Sequence, residues 1–254
     1  MLLAIDAGNT NVVFALLDEG GVRQRWRIST FANRTADEYM VWLTQLMRLE
    51  NLEPSVVTGA IIATVVPQTL FPLQLLCRRY FNCDALVVGD PEVKLNIGVK
   101  ARDVGADRLV NAVAAHDLYG GPLMVLDFGT ATTFDVVDGA GDYLGGVISP
   151  GINLSLEALH MAAAKLPRIA VERPERVIGN NTLTAMRSGI FWGYVGLIEG
   201  IANRIQEEYG APMKVIATGG LATLFGAATP IINEVDQELT IRGLYMIYKA
   251  NCAT

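Results

Sequence analysis

The sequence predicts an α/β protein made of two domains of one duplicated design, each a mixed sheet flanked by helices. Three observations predict it. Leu2–Asp6 and Leu123–Asp127 are apolar runs that each lead into Asp-x-Gly, and Asp127 follows Asp6 by 121 residues in a 254-residue chain. Each run is followed by a polar turn and a second apolar run, Val12–Leu17 and Thr133–Val137, which is the pattern of a β-hairpin. Strand–helix units then follow each hairpin, so one sheet must hold parallel and antiparallel pairs together. The two domains are expected at residues 1–120 and 121–254, meeting near Gly120-Gly121 without a Pro- or Ser-rich linker.

The elements follow in order. A turn at Glu19-Gly20-Gly21 leads to a third strand near Arg23–Ile28. Thr35-Ala36-Asp37-Glu38 has capping-box spacing ahead of Tyr39, Trp42, Leu43, Leu46, Met47 and Leu49, which recur at helical intervals. Gly59–Val65 reads as a buried strand, Gln68–Phe81 as a helix and Ala85–Val88 as a strand. In the second half, Asp138-Gly139-Ala140-Gly141 is a turn, and Gly145–Gly151 reads as a constrained loop after a strand, with Asn153 capping the next helix. Lys214–Thr218 is a strand entering Gly219-Gly220, and Glu238–Lys249 is a terminal helix.

Composition removes several classes. With 51% hydrophobic and 18% charged residues the chain is too apolar to be disordered. Its most apolar stretches, Gly59–Val66 and Leu123–Leu126, stop far short of the ~20 residues a spanning helix needs. Asp6 interrupts the first apolar run, which lacks a basic flank, so no signal peptide and no membrane partner are expected. Three cysteines without metal-ligand spacing fit a reducing compartment, and the expected location is the cytoplasm. The formal charge of -6, with no Lys/Arg cluster, argues against a nucleic-acid partner. An anionic nucleotide remains possible where backbone N–H groups or a metal supply the local positive charge.

Asp6-Ala7-Gly8-Asn9-Thr10-Asn11 joins two strands, so its glycine lets a phosphate approach backbone N–H groups while Asn9, Thr10 and Asn11 add donors. Asp6 is placed to face a phosphate-bound Mg²⁺. An ordinary hairpin turn has the same signature, and the near-repeat at Asp127-Phe128-Gly129-Thr130 is what raises a phosphate site above it. Neither a Gly-x4-Gly-Lys loop nor Gly-x-Gly-x-x-Gly after a strand occurs. Gly105-Ala106-Asp107-Arg108 opens a helix bearing Leu109, Val110, Val113 and Ala114. Asp107 there reads either as a residue stabilising the helix N-terminus or as a base for an alcohol, and Arg108 as a surface residue or an anion fork; the residues alone favour the structural uses. His116 and His160 lie in helical patterns without catalytic partners, and Phe191, Trp192 and Tyr194 read as packing residues.

Taken in order, Asp6–Thr10, Gly105–Arg108, Asp127–Thr133, Gly145–Gly151 and Ala217–Gly220 closely resemble the type III pantothenate kinase family, within the superfamily of acetate and sugar kinases, Hsp70 and actin. The resemblance runs from Met1 to about Lys249. It implies duplicated ribonuclease-H-like (actin-like ATPase) domains, a homodimer, and ATP-dependent phosphorylation of pantothenate to 4′-phosphopantothenate, the first step of coenzyme A biosynthesis. It further implies Asp107 as general base and Asp6 as organiser of the Mg²⁺-bound phosphates. Asp6, Ala7, Gly8, Asn9, Thr10, Asn11, Val12, Val13 and Thr130 would line the ATP phosphates. Asp127 would hold a monovalent cation, K⁺ or NH₄⁺, and Gly105, Ala106, Asp107, Arg108 and Thr182 would contact pantothenate, Thr182 from a helix reaching the partner subunit's site. Relatives often carry an aromatic residue near the position of Val99, and its absence here bears on the detail of the substrate pocket. Two alternatives stay beside this reading: a nucleotide-binding regulatory accessory protein of the same fold, and a kinase of another small alcohol such as a sugar.

Overall fold

The chain opens with β1 (Leu2–Ala7), β2 (Asn11–Asp18) and β3 (Gly21–Ser29), followed by α1 (Ala36–Leu49), β4 (Gly59–Thr64), α2 (Pro67–Tyr80), β5 (Ala85–Val87) and α3 (Ala106–Tyr119). The second half repeats the pattern with β6 (Leu123–Phe128), β7 (Ala131–Val137), β8 (Tyr143–Pro150), α4 (Ile152–Ala162), α5 (Thr182–Tyr209), β9 (Lys214–Gly219), α6 (Ala222–Gly226) and β10 (Glu234–Val235). Helix α7 (Leu239–Cys252) closes it. This computed structural model describes residues 1–162 and 167–252.

Both sheets have the same topology. The first runs β3-β2-β1-β4-β5 and the second β10-β9-β6-β7-β8. In each, three strands form an antiparallel meander (β1 to β3, β6 to β8), and two further strands add in parallel on the other side of the first. The mixed sheets expected from hairpins followed by strand–helix units are therefore present in both halves.

Alternation along β1 decides what covers each face of the first sheet. Leu3, Ile5 and Ala7, with Phe14 and Ile62, meet Tyr39, Leu43 and Met47 of α1 and Leu73, Leu76 and Cys77 of α2. Leu2 and Ala4, with Ala15, Ile61 and Ala63, meet Ala106, Val110 and Val113 of α3 and Ile241, Leu244 and Ile247 of α7. Helix α1 starts where the sequence places it: the Thr35 hydroxyl accepts the Glu38 N–H at 3.3 Å, and the Glu38 carboxylate accepts the Thr35 N–H at 2.8 Å. Removing such a cap costs about 0.5–2 kcal/mol. The second sheet packs Met124, Leu126, Phe134 and Val215 against Phe191, Tyr194, Val195 and Ile198 of α5. The α5 aromatics Phe191 and Tyr194 are thus core residues.

Three expectations need correction. The chain divides into compact units of Met1–Leu118 with Glu238–Thr254, and Tyr119–Gln237, so the terminal helix packs in the first unit and not with the rest of 121–254. Ile241, Leu244 and Ile247 are the reason, because their apolar stripe completes the core on β1 and β4, and Thr240 Oγ1 donates to Asn111 Oδ1 at 2.7 Å. Gly145–Pro150 is strand, not loop: β8 is an edge strand, where glycines and a terminal proline are tolerated. Asn153 is inside α4 instead of capping it, and the Gly151 carbonyl accepts the Ser155 N–H at 2.9 Å as the helix begins.

Candidate active site

In the first unit the Asp6 turn is held by its neighbours. Gly8 N–H donates to the Asn11 carbonyl at 3.0 Å, leaving Asn9 and Thr10 exposed at the tip. Thr30, just past β3, donates its hydroxyl to the Gly8 carbonyl at 2.6 Å and its N–H to the Thr10 carbonyl at 2.9 Å. On the other side, Val65 N–H donates to the Ala7 carbonyl at 3.1 Å. The carbonyls of Ala7, Gly8, Thr10 and Asn11 thus all accept from protein donors, which holds the turn in place. Ala7 and Val12 bury their side chains completely, so any part they play in binding is through backbone.

The Gly105–Arg108 motif reaches the same end of that sheet. Gly105 lies against the Val65 side chain, directly beyond the carboxyl ends of β1 and β4. Asp6 alternates with Leu2 and Ala4, so it faces the same side of the sheet as α3, which starts at Ala106. Asp6 and Asp107 thus share one face and one end of one sheet, the position where open α/β sheets bind ligands. Asp107 Oδ1 accepts the Arg108 N–H at 2.8 Å, the helix-stabilising use expected of an Asp at this position. Ala106 is buried, while Asp107 and Arg108 stay half-exposed.

In the second unit three separate motifs converge. Gly219 ends β9 with φ +87°, and a β-carbon there would overlap the Asp127 carboxylate and stand 2.6 Å from the Phe128 carbonyl oxygen. Gly220 N–H donates to that carbonyl at 3.0 Å. From the other side, Gly151 N–H donates to the Thr130 carbonyl at 3.2 Å, and a β-carbon on Gly151 would stand 2.8 Å from the Gly129 carbonyl oxygen. The Asp127–Thr130 turn is therefore cradled by bare backbone on two sides. The two duplicated turns also differ: Asp6 pairs with Val13 but Asp127 with Thr133, so the second turn is one residue shorter. Gly129 N–H accordingly donates to the Ala131 carbonyl, with Thr130 alone at the tip. The offset of 121 residues holds for β1 and β6 and falls by one across the turn.

Thr182 is the first residue of α5 and exposed, behind Asn181, whose side chain accepts the Thr184 N–H at 3.0 Å. Two cavities in the first unit, of about 310 and 330 Å³, are lined by residues such as Glu238 and Tyr245 or Ile97 and His116, and contain none of the expected site residues. Thr30 was not legible as a residue shaping the Asp6 turn, because its partners are fixed only by strand register.

Known proteins bear on this geometry. The sequence model of the type III pantothenate kinase family matches residues 2–204. The type III pantothenate kinase of Paramagnetospirillum magneticum is 63% identical, covering 99% of this chain and 98% of the relative, and that of Rhodospirillum rubrum is 61% identical, covering 99% of each. Among solved structures, a conserved Campylobacter jejuni protein assigned to the Baf family of transcriptional activators matches with a TM-score of 0.62 at 20% identity, covering 99% of this chain and 100% of that one. The activator of 2-hydroxyisocaproyl-CoA dehydratase from Clostridium difficile, with bound ADPNP, matches with a TM-score of 0.54 at 13% identity, covering 99% and 96%. Those structural likenesses concern the fold, whereas the sequence matches span both halves and every motif described: the chain belongs to the type III pantothenate kinase family.

Proposed function

We propose that this protein transfers the γ-phosphoryl group of ATP to the primary hydroxyl of pantothenate, giving 4′-phosphopantothenate and ADP in the first step of coenzyme A biosynthesis in the cytoplasm. The observation that carries the reading is the family match over residues 2–204, within which Gly105-Ala106-Asp107-Arg108 stands intact at a helix N-terminus.

The residues have separable tasks. Asp107 accepts the proton of the pantothenate hydroxyl as its oxygen bonds to the γ-phosphorus and the bond to ADP breaks. Arg108 offers a fork for the substrate carboxylate, with Gly105 and Ala106 beside it and Thr182 of the partner subunit completing the pocket. Asp6 to Val13 and Thr130 hold the phosphates, through backbone N–H groups and the donors of Asn9, Thr10 and Asn11. Positioning and charge neutralisation supply most of what a loose phosphoryl-transfer transition state requires.

The donor set fits the two cations implied. Among the described residues no three His, Cys, Asp or Glu side chains gather into a metal cage. A lone carboxylate such as Asp6 suits Mg²⁺ that arrives on nucleotide phosphates and keeps several waters. Asp127 and the Phe128 carbonyl, converging beside Gly219, suit a monovalent cation such as K⁺ or NH₄⁺. Bound there, the two ions would neutralise phosphate charge. The homodimer is supported by the exposed apolar side chains of Ile148, Met161, Val177 and Ile178 in the second unit, which a second copy would cover.

An ATP-coupled assay with pantothenate and a panel of sugars, with and without potassium, tests the proposal. Turnover dependent on pantothenate is expected. Turnover with a sugar instead, or nucleotide binding with no acceptor turned over, would reject it in favour of another alcohol kinase or an accessory protein.

A further inference from the structure

The Tyr194 hydroxyl reaches from the core of the second unit's helix α5 to the corner beside the Asp127–Thr130 turn. It bonds the Thr132 hydroxyl, and it donates to the Pro150 carbonyl at 3.3 Å. A carbonyl can only accept, so the single Tyr194 proton belongs to Pro150 and the Thr132 hydroxyl must donate in turn. The Ile152 N–H also points at the phenol oxygen, and both donors oppose the upward push that burial gives the Tyr194 pKa. The phenol therefore remains a neutral hydroxyl gripping residues 150 and 152. Between them lies Gly151, whose N–H donates to the Thr130 carbonyl at 3.2 Å and whose α-carbon has no room for a side chain against that turn.

We propose that Tyr194 is a positioning residue for nucleotide binding: through Pro150, Gly151 and Ile152 it fixes the height of the Thr130 turn. This rests on the reading of Thr130 as part of the nucleotide phosphate site. Its ring packs with Phe128 and Phe225 at centroid distances of 6.5 and 5.3 Å, so the ring holds the core while the hydroxyl alone holds the corner. Thr132 enters from β7, two residues after the turn, and closes the triangle. Losing the hydroxyl leaves the part-buried Pro150 carbonyl without this donor, and the corner regains its freedom to shift.

The test separates positioning from stability. Calorimetric titration of the full-length protein with a non-hydrolysable ATP analogue and Mg²⁺ gives Kd without turnover. Tyr194→Phe keeps the ring, and we expect Kd to rise about three- to tenfold, the equivalent of one lost hydrogen bond of ~0.7–1.4 kcal/mol. Thr132→Val should raise Kd similarly, and the double variant no further than either alone, because both act on one corner. Thr229→Val removes another buried hydroxyl of the same unit, which donates to Glu199 at 2.6 Å. It should lower Tm without moving Kd. A Kd within twofold of wild type in Tyr194→Phe, or in Thr132→Val should the first fail to fold, would overturn the proposal even if Tm falls. Wild-type protein that binds no nucleotide would remove the phosphate-site reading and this inference together.

Discussion

Gly219 stands against the carboxylate of Asp127 with no space for a β-carbon between them, and its φ of +87° is one that residues with side chains rarely adopt. Two motifs 92 residues apart in sequence are thereby made into one surface. Gly219→Ala should destabilise the protein by about 1–3 kcal/mol from backbone strain alone. Chemical denaturation measures this. The midpoint should fall with an unchanged slope, and an unaltered midpoint would show that β9 accommodates the methyl group.

Asp107→Asn removes the proposed proton acceptor but keeps an oxygen for the Arg108 N–H, now accepted at 2.8 Å. Turnover should drop about 10²–10⁴-fold, the usual contribution of a positioned base. Nucleotide affinity should stay within a few-fold of wild type. A variant that retains near-normal kcat would take Asp107 out of the proton transfer.

Arg108→Ala should raise the KM for pantothenate while leaving that for ATP unchanged, as the proposed role of its fork, binding only the acceptor's carboxylate, requires. Loss of one charge-assisted hydrogen bond pair, at about 1.5–3 kcal/mol, corresponds to a rise of roughly 10- to 100-fold. Steady-state kinetics in each substrate separates the two constants, and an unchanged pantothenate KM counts against the assignment.

Asp127→Asn should abolish the response of activity to added potassium or ammonium. The wild-type rate is expected to climb and saturate as either cation is titrated at constant ionic strength. A variant whose cation response matches wild type would place the ion elsewhere.

The three cysteines should differ sharply toward a thiol reagent. Burial pushes the Cys77 thiol up to about 12, so at pH 8 it stays protonated and enclosed, whereas Cys252 is exposed. Mass spectrometry after brief labelling should find Cys252 modified and Cys77 untouched until denaturant is added. The raised value also carries a sign for stability: Cys77 favours the folded state below pH 9, and that contribution is lost as pH climbs toward 12.

How much of this was legible in the sequence depends on whether a feature is local. The capping box at Thr35 and Glu38 and the two hairpins with Asp6 and Asp127 are local patterns, and the structure has them in place. Gly145–Pro150 was not legible as a strand, since glycine and proline argue for a loop unless the strand is known to lie at an edge. Helix α7 shows an apolar stripe, but a stripe does not say which sheet it covers. The missing residue in the second turn is hidden because Gly8 and Gly129 still align at 121, and only strand register reveals the slip. Asp6 and Asp107 could be named from sequence, while their common sheet face follows from alternation on β1 and from the packing of α3.

The return of α7 to the first unit has a consequence for how the chain is made. Emerging from a ribosome, Tyr119–Gln237 is contiguous and can close as soon as it is released, while the sheet that begins at Leu2 still lacks part of one core. Ile241, Leu244 and Ile247 arrive only after the whole of Tyr119–Gln237 has been made. The first unit is thus completed after the second, and a premature stop codon at residue 238 would injure the earlier-translated of the two.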